Sequence, residues 1–239
     1  MTRFKWNDIL NKNRIKEYKS AKKNFDGRDE FENDYDRILF SASFRRLQDK
    51  AQVFPLEKLD FVRTRLTHSL EVSSIGKSLG MIIGLQLIPL TKGTDDEINF
   101  QMVEEIGNVL SCAGLIHDLG NPPFGHFGEV AIREWFASKL KKNKDGSFYF
   151  KFEEYEFKLE RQEALDLLNF EGNAQGLRIL TKLHFVIDRY GMNLTTGVLN
   201  SIIKYPISSL ELGNKKFGGK KIGYFKARSE EHTSELQSP

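Results

Sequence analysis

The segment Gly114-Leu-Ile-His117-Asp118-Leu-Gly-Asn-Pro-Pro-Phe-Gly-His126-Phe-Gly-Glu129 constrains the fold more than any other part of the sequence. An apolar run from Val109 to Ile116 has the pattern of a buried helix, and it ends on an adjacent His-Asp pair. Two consecutive prolines between Gly120 and Gly125 then withdraw backbone donors, so the helix must stop and the chain restart as a helix near His126. A buried helix end that carries imidazole and carboxylate is costly unless those groups have work to do. Both are ligand types for a mixed nitrogen–oxygen divalent metal site, and a histidine beside a carboxylate also serves general acid–base chemistry.

Helical spacing dominates the rest of the chain, which predicts an all-α bundle. A short helix is expected around Trp6 to Tyr18, and a longer one from Asp34 to Gln52 with Asn33 or Asp34 as N-cap. Others are expected at about Thr64 through His68 to Leu79, Asp96 to His117, His126 to Lys141, Glu163 to Leu168, Asn173 to Phe185 and Leu194 to Lys204. One stretch breaks the pattern. Phe148, Phe150 and Phe152, then Tyr155, Phe157 and Leu159, occupy alternate positions after the Asp145-Gly146 turn, which predicts a small β-hairpin insertion near 147–160. Three segments follow: a charged N-terminal part at 1–30, a main domain at 31–227 and a tail at 228–239. The tail lacks periodicity and resembles translated adapter sequence, so the natural reading frame is expected to continue past Ala227.

Composition narrows the function class. With 239 residues, 39% hydrophobic and 29% charged, the chain has material for a large soluble core. A net charge of +3 does not mark a nucleic-acid binder. The basic run Lys12, Arg14, Lys16, Lys19, Lys22 and Lys23 has the pattern of a solvated helix face. One cysteine, Cys112, fits a reducing cytoplasm and lies in an apolar run where a buried, inert thiol is expected. The start is polar, without a signal peptide. The longest apolar stretch, Ile75 to Leu90, is interrupted by glycines, Lys77 and Pro89, so it is expected to be a core helix that ends at the proline and not a membrane span.

Adjacent positions on a helix lie about 100° apart, so His117 and Asp118 reach one ion only from a helix end, and a third ligand must come from elsewhere. His68, set on a helix by the apolar residues that follow it, is the candidate. His126 and Glu129 are three apart at a helix start and share a face, so the carboxylate can fix the imidazole tautomer. That dyad is fit to orient a water or to protonate a leaving oxygen.

These residues, with several longer segments, resemble the HD phosphohydrolase superfamily and, within it, the deoxyguanosinetriphosphate triphosphohydrolase-like dNTPases of bacteria. The segments are Tyr35 to Gln52, Arg63-Thr-Arg65-Leu-Thr-His68-Ser, His117 to Glu129, Asn169-Phe-Glu-Gly-Asn-Ala-Gln-Gly176 and Gly191-Met-Asn-Leu-Thr. The resemblance runs in order from about residue 30 to 227. It implies an α-helical, homo-oligomeric, metal-dependent hydrolase that converts a dNTP, dGTP foremost, to deoxynucleoside and tripolyphosphate. Carried over, it makes His68, His117 and Asp118 metal ligands and His126 with Glu129 the catalytic dyad. Arg65 becomes a contact of the α-phosphate and Gln52 a neighbour of the deoxyribose 3′-hydroxyl, with Asn173 a further substrate contact that is equally fit to be a turn residue. Arg65 lies one helical turn before His68, which suits a guanidinium set beside a metal-bound phosphate. Mg²⁺ or Mn²⁺ suits such a site.

The family's fourth ligand, an aspartate beyond Lys204-Tyr205-Pro206, has no counterpart before Ala227, and Asp188 precedes the expected position. Weak metal binding and low turnover are therefore expected of residues 1–227 beside a full-length counterpart. Two other readings remain open at this level. One is an HD phosphodiesterase or nucleotidase, which would release orthophosphate or pyrophosphate. The other is a non-catalytic nucleotide or single-stranded DNA binder that uses the lysine-rich start and the basic 215–221 loop, with salt-sensitive affinity.

Overall fold

A computed structural model of the chain describes residues 5–16, 27–51, 62–184, 190–213 and 221–226. They form two compact units, one of residues 1–119 with 179–202 and one of residues 120–178 with 203–239. Helices dominate both, as the sequence predicts.

The first unit holds α1 (Trp6–Ile9), α2 (Glu30–Leu39), α3 (Ala42–Arg45), α4 (Arg65–Thr91), α5 (Phe100–Ile116) and α9 (Thr196–Ser201). Its spine is the antiparallel pair α4 and α5. The α4 face against α5 carries small residues: Gly76 meets the Leu110 carbonyl, Gly80 meets Gly107, and Gly84 meets Val103. At the other end of α5, Gly114 lies on Ser73, and the Ser73 and Ser111 hydroxyls bond at 2.8 Å. Ascending numbers on α4 thus meet descending numbers on α5, which brings the start of α4 to the end of α5. Core side chains Phe31, Ile38, Phe44, Leu115 and Val198 fill the surrounding space. Cys112 is fully buried, its Sγ 3.4 Å from the Phe31 carbonyl, and burial holds its thiol pKa well above the ordinary value, as an inert thiol requires.

Several boundaries differ from the sequence reading, each for a local reason. Helix α2 starts earlier because Asp29 caps it in a box with Glu32, and it breaks at Phe40, where Ser41 caps α3. Asp34 is therefore not a cap but a buried helix residue. It accepts hydrogen bonds from Thr195 N at 2.8 Å, Thr195 Oγ1 at 2.7 Å and Arg14 Nη1 at 2.6 Å. The first helix is only four residues long. Beyond it, Lys12 pairs with Glu105 at 2.6 Å and Asp29 at 3.0 Å, while Arg14 clasps Glu30 and Asp34. These two cations are thus not the solvated helix face their spacing suggested. Lys19, Lys22 and Lys23 lie outside the described residues.

Helix α4 corrects a further expectation. It runs through Pro89 to Thr91, and its 27 residues make it long and apolar enough to cross a membrane. Buried core helices meet the same criterion, so length and composition assign no membrane. Only small or polar residues of α4 and Arg65 are buried; Ile75, Leu79, Ile82, Ile83 and Leu85 point outward, about half exposed.

The second unit contains α6 (His126–Lys139), strands β1 (Leu140–Lys142), β2 (Phe148–Phe152) and β3 (Tyr155–Leu159), then α7 (Arg161–Leu168) and α8 (Gly172–Arg178). The predicted hairpin is β2–β3, with Phe150 opposite Phe157. A third strand was not foreseen: the turn at Asp145-Gly146 folds Leu140–Lys142 back onto β2, which ends α6 at Lys139. Trp135 and Phe136 of α6 pack on Phe150, tying the sheet to the helix. A turn of π-helix (Ile179–Leu183) ends the helical run that begins with α8, and α9 is shorter than its pattern suggested.

Candidate functional site

In the first unit, Thr64 caps α4 with its side chain and places Arg65 and His68 in the first turns. Antiparallel packing then brings His68 against His117, the C-cap of α5, with ring centroids 5.3 Å apart. His117 Nδ1 lies 2.8 Å from the Gly114 carbonyl. A carbonyl can only accept, so Nδ1 carries a proton, and in the neutral ring this leaves the lone pair on Nε2, the tautomer a metal ligand needs. Asp118 is buried, and its Oδ1 lies 3.7 Å from Nη1 of Arg65, itself only 4% exposed. A buried guanidinium of this kind is not a surface ion pair.

Lys50 belongs to the same group, although sequence reasoning passed over it. Its carbonyl accepts the Arg65 amide at 2.9 Å, and Ala51 bridges Thr64. Burial and then the charge of Arg65 hold its ammonium below the ordinary lysine pKa, with Asp118 pulling the other way.

The donor types fit a divalent cation, with two imidazoles and one carboxylate at adjoining helix ends. Among the described residues, however, no three His, Cys, Asp or Glu side chains converge as a ready metal cage. Gln52, predicted near the sugar, lies outside the described residues, as does Asp188.

In the second unit the turn before α6 is unusual. Phe124 (φ 64°) and Gly125 (φ 54°) are both left-handed, an ordinary state for glycine and a strained one for phenylalanine. That turn delivers His126 as the first residue of α6. Its Nδ1 lies 3.1 Å from Glu129 Oε2, so the predicted dyad is formed. The two members differ in exposure: the His126 side chain is 68% exposed, that of Glu129 only 6%. Glu129 is thus no solvated first-turn carboxylate. Its Oε1 accepts the Gly172 amide at 2.9 Å, and its Oε2 also accepts from Arg133 Nη2 at 3.1 Å.

Asn173, predicted as a substrate contact, donates from Nδ2 to Glu171 Oε1 at 2.7 Å. Glu171 is buried and also takes the Lys221 ammonium at 3.0 Å. Burial works against the Lys221 charge, but Glu171 and then Glu129 outweigh it and raise its pKa above the lysine value. Sequence reasoning missed Arg133, Glu171 and Lys221. Only Arg133, at i+4 from Glu129, left a local signal. A separate cavity of about 710 Å³ in this unit, walled by Phe136, Phe170 and Phe225, includes none of the predicted residues.

Residues 65–193 match the HD domain family, a span that contains both histidine clusters. The chain is 50% identical over 225 residues to a deoxyguanosinetriphosphate triphosphohydrolase-like protein of Listeria monocytogenes, covering 94% of this chain and 47% of the relative. A protein of the same name from Synechocystis is 42% identical over 212 residues, 86% of this chain and 43% of the relative. The deoxyguanosinetriphosphate triphosphohydrolase of an Enterobacter strain is 37% identical over 216 residues, 82% and 41% respectively. The chain spans about half the length of the curated relatives it matches.

Proposed function

Because the chain belongs to the HD-domain family, we propose that its site serves metal-dependent hydrolysis of a deoxynucleoside triphosphate, dGTP foremost, to the deoxynucleoside and tripolyphosphate. The observation that carries this reading is the His68–His117 imidazole pair beside the buried Arg65–Asp118 pair, nitrogen and oxygen donors with a guanidinium where the start of α4 meets the end of α5. The names of the relatives supply the substrate class.

His68, His117 and Asp118 would hold a divalent ion, Mg²⁺ or Mn²⁺ by ligand type, once side-chain rotation brings the carboxylate to the imidazoles. When bound, such an ion polarises a phosphoryl oxygen and lowers the pKa of coordinated water. Arg65, with Lys50 beside it, neutralises charge on the α-phosphate. Gln52 and Asn173 are assigned to the sugar and the nucleotide. Water attack at the α-phosphorus breaks its bond to the 5′-oxygen, which leaves and must gain a proton. His126 takes a proton from the attacking water at Nε2, because Glu129 holds Nδ1, and returns it to the leaving oxygen. The exposed aliphatic face of α4 supports self-association, and the single buried thiol suits a reducing cytoplasm. A nucleic-acid-binding reading gains no support from Lys12 and Arg14, which are spent on internal ion pairs.

The test is phosphorus NMR of the protein incubated with dGTP and Mn²⁺, alongside calorimetric titration of Mn²⁺. Tripolyphosphate is the expected product, slower by about 10²-fold or more in His126→Ala, while Mn²⁺ affinity falls by about 10-fold or more in His117→Ala and is kept in His126→Ala. Release of orthophosphate or pyrophosphate instead would transfer the site to a nucleotidase or phosphodiesterase. Unchanged Mn²⁺ affinity in His117→Ala would refute the ligand assignment.

A further inference from the structure

Glu129 is the meeting point of three charged or polar side chains in the second unit, His126, Arg133 and Lys221. Two of them compete for one of its oxygens: Oε2 faces His126 Nδ1 at 3.1 Å and accepts from Arg133 Nη2, also at 3.1 Å. Arg133 is itself anchored, its Nε donating to the Phe170 carbonyl at 2.8 Å. A second buried carboxylate, Glu171, stands 3.9 Å from the same guanidinium nitrogen. Lys221 lies 3.0 Å from Glu171 and 3.9 Å from Glu129 Oε2. Two carboxylates therefore face two cations, and the exposed imidazole meets a carboxylate whose charge is already balanced.

An imidazole next to an uncompensated, buried carboxylate is driven toward imidazolium, which has no lone pair with which to accept a proton. We propose that Arg133 is the positioning residue of the dyad: by sharing Glu129 Oε2 with His126, it fixes the carboxylate rotamer and withholds part of the carboxylate's charge from the imidazole. The charged groups that face the pair are Glu129 and Arg133 on α6, Glu171 from the connector between α7 and α8, and Lys221 from the last described segment, where Tyr205 adds to the field at Lys221. The inference rests on the assignment of His126 and Glu129 to proton transfer. It adds the group that sets their charge.

The test needs no substrate. Imidazole carbon–proton NMR signals are followed against pH in the whole chain, with His126 identified among the five histidines by its loss in His126→Asn. Arg133→Gln keeps a donor but removes the charge, and the midpoint of His126 is expected to rise by about half to one pH unit. Arg133→Lys keeps the charge but loses the fork, and the midpoint is expected to stay near that of the parent. Lys221→Gln, which keeps a donor toward Glu171 but removes the charge, is expected to shift it the same way by less. An unmoved midpoint in a folded Arg133→Gln protein, or an equal rise in Arg133→Lys, overturns the proposal. Should Arg133→Gln fail to fold, the absence of any rise in Lys221→Gln overturns it instead. Loss of the dGTP reaction alone, with the shift intact, would sink the functional reading and leave this one standing.

Discussion

Replacing Gly114 with alanine asks whether the close approach of α4 and α5 is what brings His68 to His117. A methyl group at position 114 would lie 2.5 Å from Ser73 Cα, 2.6 Å from Ser73 N and 2.9 Å from the Val72 carbonyl carbon. All three are backbone atoms of α4, so no rotamer change relieves the overlap. Carbon atoms sit comfortably at about 3.5–4.0 Å, so the helices must part by on the order of 1 Å. Alanine gains about 1 kcal/mol over glycine in helix propensity, and overpacking of a close-packed interface costs about 1–3 kcal/mol, sometimes more. With rigid backbone on the far side the cost belongs at the top of that range, leaving a net loss of about 2 kcal/mol. Gly84→Ala is the internal control. There the nearest atoms are Val103 Cγ1 at 3.0 Å and Val103 Cα and Cβ at 3.2 Å, a shallower overlap than at Gly114, so propensity and crowding nearly cancel and the change stays within about 1 kcal/mol. Urea unfolding followed by circular dichroism reads both variants, and the His68 and His117 imidazole signals report the separation. A Gly114→Ala midpoint equal to or above the parent's, or a larger loss in Gly84→Ala, would refute the argument.

Two further predictions concern buried charge in the first unit. Asp34→Ala strands the Arg14 guanidinium, 11% exposed, without its carboxylate, and a loss of about 3–5 kcal/mol is expected in urea titration; a loss below about 1 kcal/mol would mean that Glu30 alone satisfies Arg14. Burial holds the His184 pKa below its ordinary value of 6.5, so the unfolded chain binds this proton first as pH falls. Its contribution to stability is therefore complete above pH 6.5 and is lost as pH falls through the folded value. His184→Gln, which keeps a partner for the Ser43 hydroxyl now 2.9 Å from Nδ1, should flatten the urea-midpoint profile below pH 6.5; parallel profiles would exclude the group.

What the sequence made legible was local. The Pro-Pro break, the helix start near Thr64, the alternating Phe148 to Leu159 stretch and the i,i+3 pair at His126 are all decided by neighbours within one turn or one strand, and all appear where expected. Errors arose where a residue's fate depends on distant partners. Asp34 has the composition of an N-cap, yet Thr195 and Arg14 draw it inward, so the cap falls to Asp29. Helix α4 was expected to bury its leucines and isoleucines. Instead its glycines and serines face α5, because two helices that approach through small residues leave their bulky ones on the outside. Leu140–Lys142 have too little alternation to announce a strand, and pairing with β2 alone makes them one.

The same division between near and far explains the dyad. Spacing on a helix places His126 beside Glu129 but cannot say whether that imidazole carries a charge. The charge depends on every ion within several ångströms, and only Arg133 is visible from the helix itself. Gly172, whose amide holds Glu129 Oε1, is 43 residues away, and Lys221 lies a further 50 residues beyond Glu171. A chain with the same His-x-x-Glu spacing and no such cations would hold more of its imidazole as imidazolium, which cannot accept a proton. The motif therefore specifies who the partners are, and the packing of α6 against the connector and the last described segment specifies which chemistry they can perform.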